Sequence, residues 1–211
     1  MNALGGITTG MDALEFVVRF ARRVDGVRTF RFVAYPVAES LEKRSALPAA
    51  GWVHFTERAL HHDNTGAHVW ELAPQDVSVA ALRGLIEGLE KRYALAMSSR
   101  VTLLDGSDAH IPMMDFRCPP SSDNLKAVEH MATSVGQPDG AFLNSTNSYH
   151  FYGFTLMSER EWVVFLGKCL LFGTLVDARY IGHRLIDGEC RLRLSAFAEK
   201  HAPIVVGVCS P

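Results

Sequence analysis

The sequence predicts a mixed α/β fold, α+β in strict usage, and three observations point to it. Residues 27–35 alternate with the two-residue period of a strand. Apolar stripes at helical spacing run through 11–24, 76–93 and 121–135. From residue 111 onward, strand and helix signals succeed one another in the order β-α-β-β-α-β. The bulk composition agrees. With 48% hydrophobic and 21% charged residues, the 211-residue chain is ordinary globular material. One domain is expected over 1–211, made of an N-terminal α/β portion (1–104) and a second unit at 105–200.

The first portion begins with a helix. Leu14, Val17, Val18, Ala21 and Val24 fall on one face of a helix over 11–24, which Gly26 ends. Val27, Thr29, Arg31 and Val33 then alternate with Arg28, Phe30, Phe32 and Ala34 until Pro36 stops the strand. Residues 52–56 and 67–72 read as two short strands joined by a polar, His-rich connection. Leu82, Leu85, Ile86, Leu89 and Tyr93 trace one stripe, predicting a helix over 76–93. Ser98 to Asp108 reads as a polar transition.

The second unit opens on the apolar run Ile111 to Phe116, a buried strand. Pro119-Pro120-Ser121-Ser122 stops it and starts a helix with Leu125, Val128, Ala132 and Val135 on its inner face. After a break at Gly136 to Gly140 come a strand from Ala141, a turn over Asn144 to Asn147, and a second strand over Ser148 to Leu156. Ser158 and Glu161 form the S-x-x-E capping box ahead of Trp162, Phe165, Leu166 and Cys169. A loop carries Asp177, and the last strand spans about 189–195. This order is the ferredoxin-like, split β-α-β arrangement.

Several function classes are excluded at this level. Net charge is −2, which argues against coating nucleic acid through bulk charge. No apolar run reaches the roughly 18 residues of a membrane span. The first ten residues carry no basic stretch leading into an apolar one, so no secretory signal is expected. Cys118, Cys169, Cys190 and Cys209 are far apart, with no C-x-x-C pair. A reduced, cytoplasmic setting is the simpler expectation. There is no Walker loop and no G-x-G-x-x-G. His54, His61, His62 and His68 cluster in sequence without the Cys or acid that would complete a zinc set.

Three residues stand out as chemistry. Asp115 ends a buried strand, His150 opens another, and Asp177 comes after the apolar pair Leu175-Val176. A carboxylate at the end of an apolar strand is costly unless it meets a cation, a donor or water. Two such carboxylates and a histidine on one sheet suit a divalent metal, Mg²⁺ or Mn²⁺, together with a phosphate. Arg191, Arg193 and Ser195 share one strand face, with Arg179, His183 and Arg184 just upstream, and arginine forks match phosphate oxygens. Each position also has an ordinary structural role: a strand-end acid, a core histidine among aromatics, a loop cap, a solvated strand face.

The motifs Asp115-Phe116-Arg117, Ser148-Tyr149-His150 and Val176-Asp177, in this order on this pattern of elements, resemble those of archaeo-eukaryotic primases. The stretch Val176 to Ser195 is similar to the segment after the third motif in the bacterial primase 1D-like group. The resemblance covers about 110–197. It implies that the 105–200 unit is a primase-type catalytic core and that the activity is metal-dependent nucleotidyl transfer. It implies Asp115, His150 and Asp177 as catalytic residues, with Asp115 and Asp177 holding metal. It implies Ser148, His150, Arg184, Arg191 and Arg193 as nucleotide-binding residues, and a nucleoside triphosphate with DNA or RNA as partners, without a membrane.

The sequence departs from the pattern at Arg117, where the family's second acid belongs. Residues i and i+2 of a strand share a face, so Arg117 is expected beside Asp115 and able to pair with it. Three readings stay open. The enzyme uses one metal; or Asp108 or Asp123 supplies the missing carboxylate; or the site binds nucleotide or nucleic acid without extending it, as a non-catalytic subunit with a protein partner.

Overall fold

The structure, a computed structural model, describes residues 6–36 and 68–209. In chain order the described elements are α1 (Ala13–Arg23), β1 (Val27–Pro36), β2 (His68–Leu72), α2 (Val79–Glu87), β3 (Tyr93–Leu103), β4 (Asp108–His110), β5 (Met113–Asp115), α3 (Ser122–Ser134), β6 (Gly140–Asn144), β7 (Tyr149–Gly153), α4 (Glu159–Leu170), α5 (Ala178–Asp187), β8 (Arg191–Arg193) and β9 (Ile204–Cys209). No helix among the described residues is long and apolar enough to cross a membrane. The strand expected at 52–56 and the histidines at 54, 61 and 62 lie outside the described residues.

Two antiparallel sheets form. The first runs β2-β1-β3-β4, and β8 pairs with β3 on the edge that β4 also uses. β3 is long enough for both: Ala96–Ser98 take β8 and Arg100–Thr102 take β4. The second sheet runs β5-β7-β6-β9. Its first three strands keep the split β-α-β order expected from the sequence, with β7 between β5 and β6. The last expected strand departs. β8 leaves this sheet for β3, and β9 takes the free edge of β6.

α1 joins the two sheets. Its inner face buries Phe16, Val17 and Phe20 completely. Phe20 meets Phe30 of β1 at 6.4 Å and Tyr152 of β7 at 6.1 Å, edge to face in both cases. One aromatic side chain therefore packs on both sheets, burying area that dominates core energetics. Asp12 caps the helix, its Oδ1 accepting from the Glu15 backbone at 2.9 Å. The capping box expected at α4 is present in both directions, and Trp162, Phe165, Leu166 and Cys169 are buried as the stripe requires. Trp162 stacks on the His110 ring at 4.4 Å.

Three local expectations change. The helix expected over 76–93 is shorter, because Gly88 caps it and Tyr93 begins β3. The polar stretch from Ser98 is the second half of that strand, and Ser98 and Ser99 are fully buried. Their hydroxyls are satisfied from far along the chain: Ser98 donates to Glu189, and Ser99 accepts from the Cys190 backbone at 2.9 Å. The segment after Asp177, expected as loop, is α5, capped by Asp177 and ended by Gly188 at φ 72°.

Candidate functional site

The geometry is built from the β5-β7 pair. Asp115 stands opposite His150 and Met113 opposite Tyr152, so strand alternation puts all four on one sheet face. The other β7 face, Tyr149 and Phe151, anchors the strand. Phe151 packs on Phe142 at 4.9 Å, and the Tyr149 hydroxyl donates to Ser121 O and accepts from Ser121 N, each at 2.8 Å. Gly140 is required beneath this layer: a Cβ there would run into the Phe151 ring and lie 2.6 Å from Tyr152 O.

Asp177 reaches the same place through the backbone. Phe116 bridges to Val176, and Arg117 N donates to Leu175 O at 2.9 Å. Each aspartate is thus one residue from the bridge, and the Asp177 charge acts on Asp115. Asp177 also caps α5, its Oδ1 accepting from Arg179 N at 2.9 Å, which leaves its second oxygen outside that bond. Ser148 Oγ donates to Asp115 Oδ1 at 3.3 Å. His150 Nε2 lies 3.8 Å from the same Oδ1.

The charges of Arg193 and Lys200 act on both Asp115 and His150. Arg193 is buried, and its fork spans three carbonyls: Nη1 donates to Ser195 O and to His201 O (2.8 Å), and Nη2 to Ser145 O at 2.9 Å. It therefore ties the segment carrying Lys200 to the β6-β7 turn that carries Ser148. Lys200 closes a short turn with Phe197, in which Ala198 takes φ 49°.

The electrostatics derive from burial. Burial, then the Arg193 and Lys200 charges, push His150 down to about 3, so its imidazole is neutral at physiological pH and the 3.8 Å contact is not an ion pair. Burial raises Asp115 to about 6, helped by Asp177 and opposed by the Ser148 hydroxyl, Lys200 and Arg193. The Asp115 side chain is still 40% exposed, so solvent reaches it from one side of the strand pair and its shift is smaller than full burial would give. His150 Nδ1, the Tyr152 hydroxyl and Thr146 Oγ1 are buried without a hydrogen-bond partner in the protein. Thr146, at φ 93°, is in the turn between β6 and β7, so the three orphaned groups belong to this hairpin.

The other sequence candidates lie elsewhere. Arg191 Nε binds Glu189 at 2.6 Å, and Glu189 lies 3.6 Å from Arg31, which in turn pairs with Glu71 at 3.2 Å. Arg184 is buried against Asp187 at 2.9 Å and over the Tyr180 ring at 5.4 Å. The expected Arg117–Asp115 pair does not form. β5 ends at Asp115, the chain turns toward Leu175, and the Arg117 side chain is exposed, so the i, i+2 rule no longer applies. Asp108 pairs with Arg100 at 3.3 Å and Asp123 lies exposed in the first turn of α3, 4.0 Å from Lys126. Neither supplies a charge at Asp115. Burial raises the Cys118 thiol, the reverse of what a nucleophile needs. Lys200 and Tyr152 were not legible as site residues: a lysine in a turn and a tyrosine in an aromatic strand have no distinguishing spacing.

Among the described residues, no three His, Cys, Asp or Glu side chains group as a metal site. Asp115 and Asp177, set on either side of the Phe116–Val176 bridge, are the carboxylates whose oxygen chemistry suits Mg²⁺ or Mn²⁺ of the kind held by one or two acids plus substrate phosphates. The family comparison agrees with the resemblance read from the sequence. A family model described as archaeo-eukaryotic primase 1D-like matches residues 73–206, more than half of the chain. The match begins just before α2 and ends inside β9, so it takes in β3, β4 and β8 of the first sheet and the second sheet as far as β9, but not α1, β1 or β2. No curated protein and no solved structure matches the chain. On the family match, the chain belongs to the archaeo-eukaryotic primase 1D-like family.

Proposed function

We propose that this protein binds a nucleoside triphosphate at the Asp115 and His150 face of the β5-β7 pair and transfers its nucleotidyl group to a nucleic-acid 3′-hydroxyl or an initiating nucleotide, releasing pyrophosphate. The observation that carries the reading is the convergence of Asp115, His150 and Asp177 with the buried Arg193 and with Lys200. Mg²⁺ or Mn²⁺ held by Asp115 and Asp177 would supply charge neutralisation at the phosphates. Neutral His150 donates one hydrogen bond to a phosphate oxygen, and its now orphaned nitrogen gains a partner. Arg193 and Lys200 supply fixed positive charge where charge develops on the leaving group. Ser148 orients Asp115. The 105–200 unit serves as the primase-type, ferredoxin-like core in this reading, with β8 lent to the neighbouring sheet.

A second reading has its own observation. Arg117 replaces the family's second acid, and the described residues hold no group of three metal-ligating side chains. On this reading the chain binds nucleotide, DNA or RNA without extending it, as a subunit with a protein partner. Calorimetric titration with a non-hydrolysable nucleoside triphosphate, with and without Mn²⁺, separates the two. Binding that requires Mn²⁺ and is lost in Asp115→Ala and His150→Ala supports the transferase. Metal-independent binding supports the second reading. Absence of binding under both conditions refutes both.

A further inference from the structure

The face of α4 turned away from the core is apolar where a solvated helix surface is polar. Val163 is 45% exposed, Val164 51%, Leu170 39% and Leu171 85%. Helical spacing sorts these residues. Arg160, Val164, Gly167 and Leu171 recur at intervals of four, three and four, the seam spacing of paired helices, opposite the buried Trp162, Phe165, Leu166 and Cys169. Val163 and Leu170 flank the seam on one side, Glu161 and Lys168 on the other. Gly167 lies mid-helix, where glycine is a poor helix former, and a Cβ there would meet nothing within 4 Å. Nothing within the described chain calls for a glycine at that position.

We propose that this face is where two copies of the chain pair, with their α4 helices antiparallel about a twofold axis. The charge pattern selects the partner and its direction. With the axis midway between Val164 and Gly167, Val164 meets the partner's Gly167, and the small residue lets the helix axes approach to about 8 Å. Arg160 lays its aliphatic stem on the partner's Leu171. On one flank Val163 meets the partner's Leu170. On the other Glu161 meets the partner's Lys168, and symmetry repeats each pair twice. A parallel pairing would set Arg160 against Arg160 at the seam and turn Glu161 and Lys168 toward the partner's apolar flank, leaving both without an opposite charge. Ser158 already holds the Glu161 carboxylate in place through Oε2, at 2.8 Å from its backbone nitrogen.

The test is sedimentation equilibrium of the whole chain over about 1–200 μM, a range suited to a small interface. The expected result is a reversible monomer–dimer equilibrium. Val164→Lys, at an exposed position, leaves the melting temperature within a few degrees and weakens dimerisation at least tenfold. Lys168→Glu places two glutamates face to face, so its dimer strengthens as salt rises, while the wild-type dimer weakens. A wild-type monomer throughout the range overturns the proposal. So does a dimer indifferent to Val164→Lys. A monomer that Val164→Lys destabilises would place another part of the same chain, or a different protein, on this face and overturns it equally.

Discussion

Replacing His150 with glutamine should make the protein less sensitive to acid. His150 is 5% exposed, and its folded-state value is pushed from 6.5 down to about 3, chiefly by burial. Unfolding frees the ring to take a proton, so between about pH 3 and 6.5 the unfolded state binds more protons, and stability rises with pH across that window. The slope is at most about 1.4 kcal/mol per pH unit. Going from pH 7.5 to pH 5 therefore costs the wild type about 2 kcal/mol through this residue alone. For a chain of this length that is roughly 4–8 °C in melting temperature. Asp115 acts with the opposite sign. Its folded value is raised to about 6, so its contribution is present below its unfolded value and is lost as pH rises through 6. Its side chain is 40% exposed and solvent screening shrinks that share. The difference between wild type and His150→Gln cancels it. Thermal melts of both proteins at pH 5 and 7.5 measure the effect. Equal pH slopes in the two, or a His150 titration near 6.5 by nuclear magnetic resonance, refute the reasoning.

Four further substitutions have expected outcomes. Phe20→Ala removes the side chain that meets both sheets and should cost about 3–5 kcal/mol in urea denaturation. Gly140→Ala forces a Cβ against the Phe151 ring and a backbone oxygen that cannot step aside, and should cost roughly 2–4 kcal/mol by the same measurement. Gly167→Ala, one methyl group into open space, should instead be neutral or stabilising by up to about 1 kcal/mol, measured at concentrations where the chain is monomeric. Arg193→Lys keeps the charge but cannot span Ser145, Ser195 and His201. Amide exchange should rise across 195–201, and stability should fall by at least about 1.5 kcal/mol in urea denaturation, since each lost bond to a charged group is worth about 1.5–3 kcal/mol.

Elements with a local signal were legible in the sequence. The β1 alternation, the α3 and α4 stripes, the Ser158–Glu161 capping box and the β5-α3-β6-β7 order are periodicities and short-range hydrogen bonds, and they reappear in the structure. Motif order also led to the primase family from Asp115, Ser148-Tyr149-His150 and Val176-Asp177. Features that depend on partners distant in the chain emerged with the fold. Ser98 and Ser99 look like loop residues until Glu189 and Cys190 arrive to satisfy them, which turns a polar stretch into a buried strand. Gly182 and three charged residues disguise α5, although Asp177 and Gly188 mark its ends. Of three arginines at similar sequence positions, Arg193 acts on Asp115 and His150, while Arg191 is engaged by Glu189 and Arg184 by Asp187. Lys200 arrives by a turn, Arg117 is carried off by the end of β5, and β8 pairs outside the sheet its order suggested. Periodicity encodes which way a residue faces along its own element. It does not encode which strand edge will be free, or which buried charge will find its counterpart, because both depend on the sum of long-range pairings.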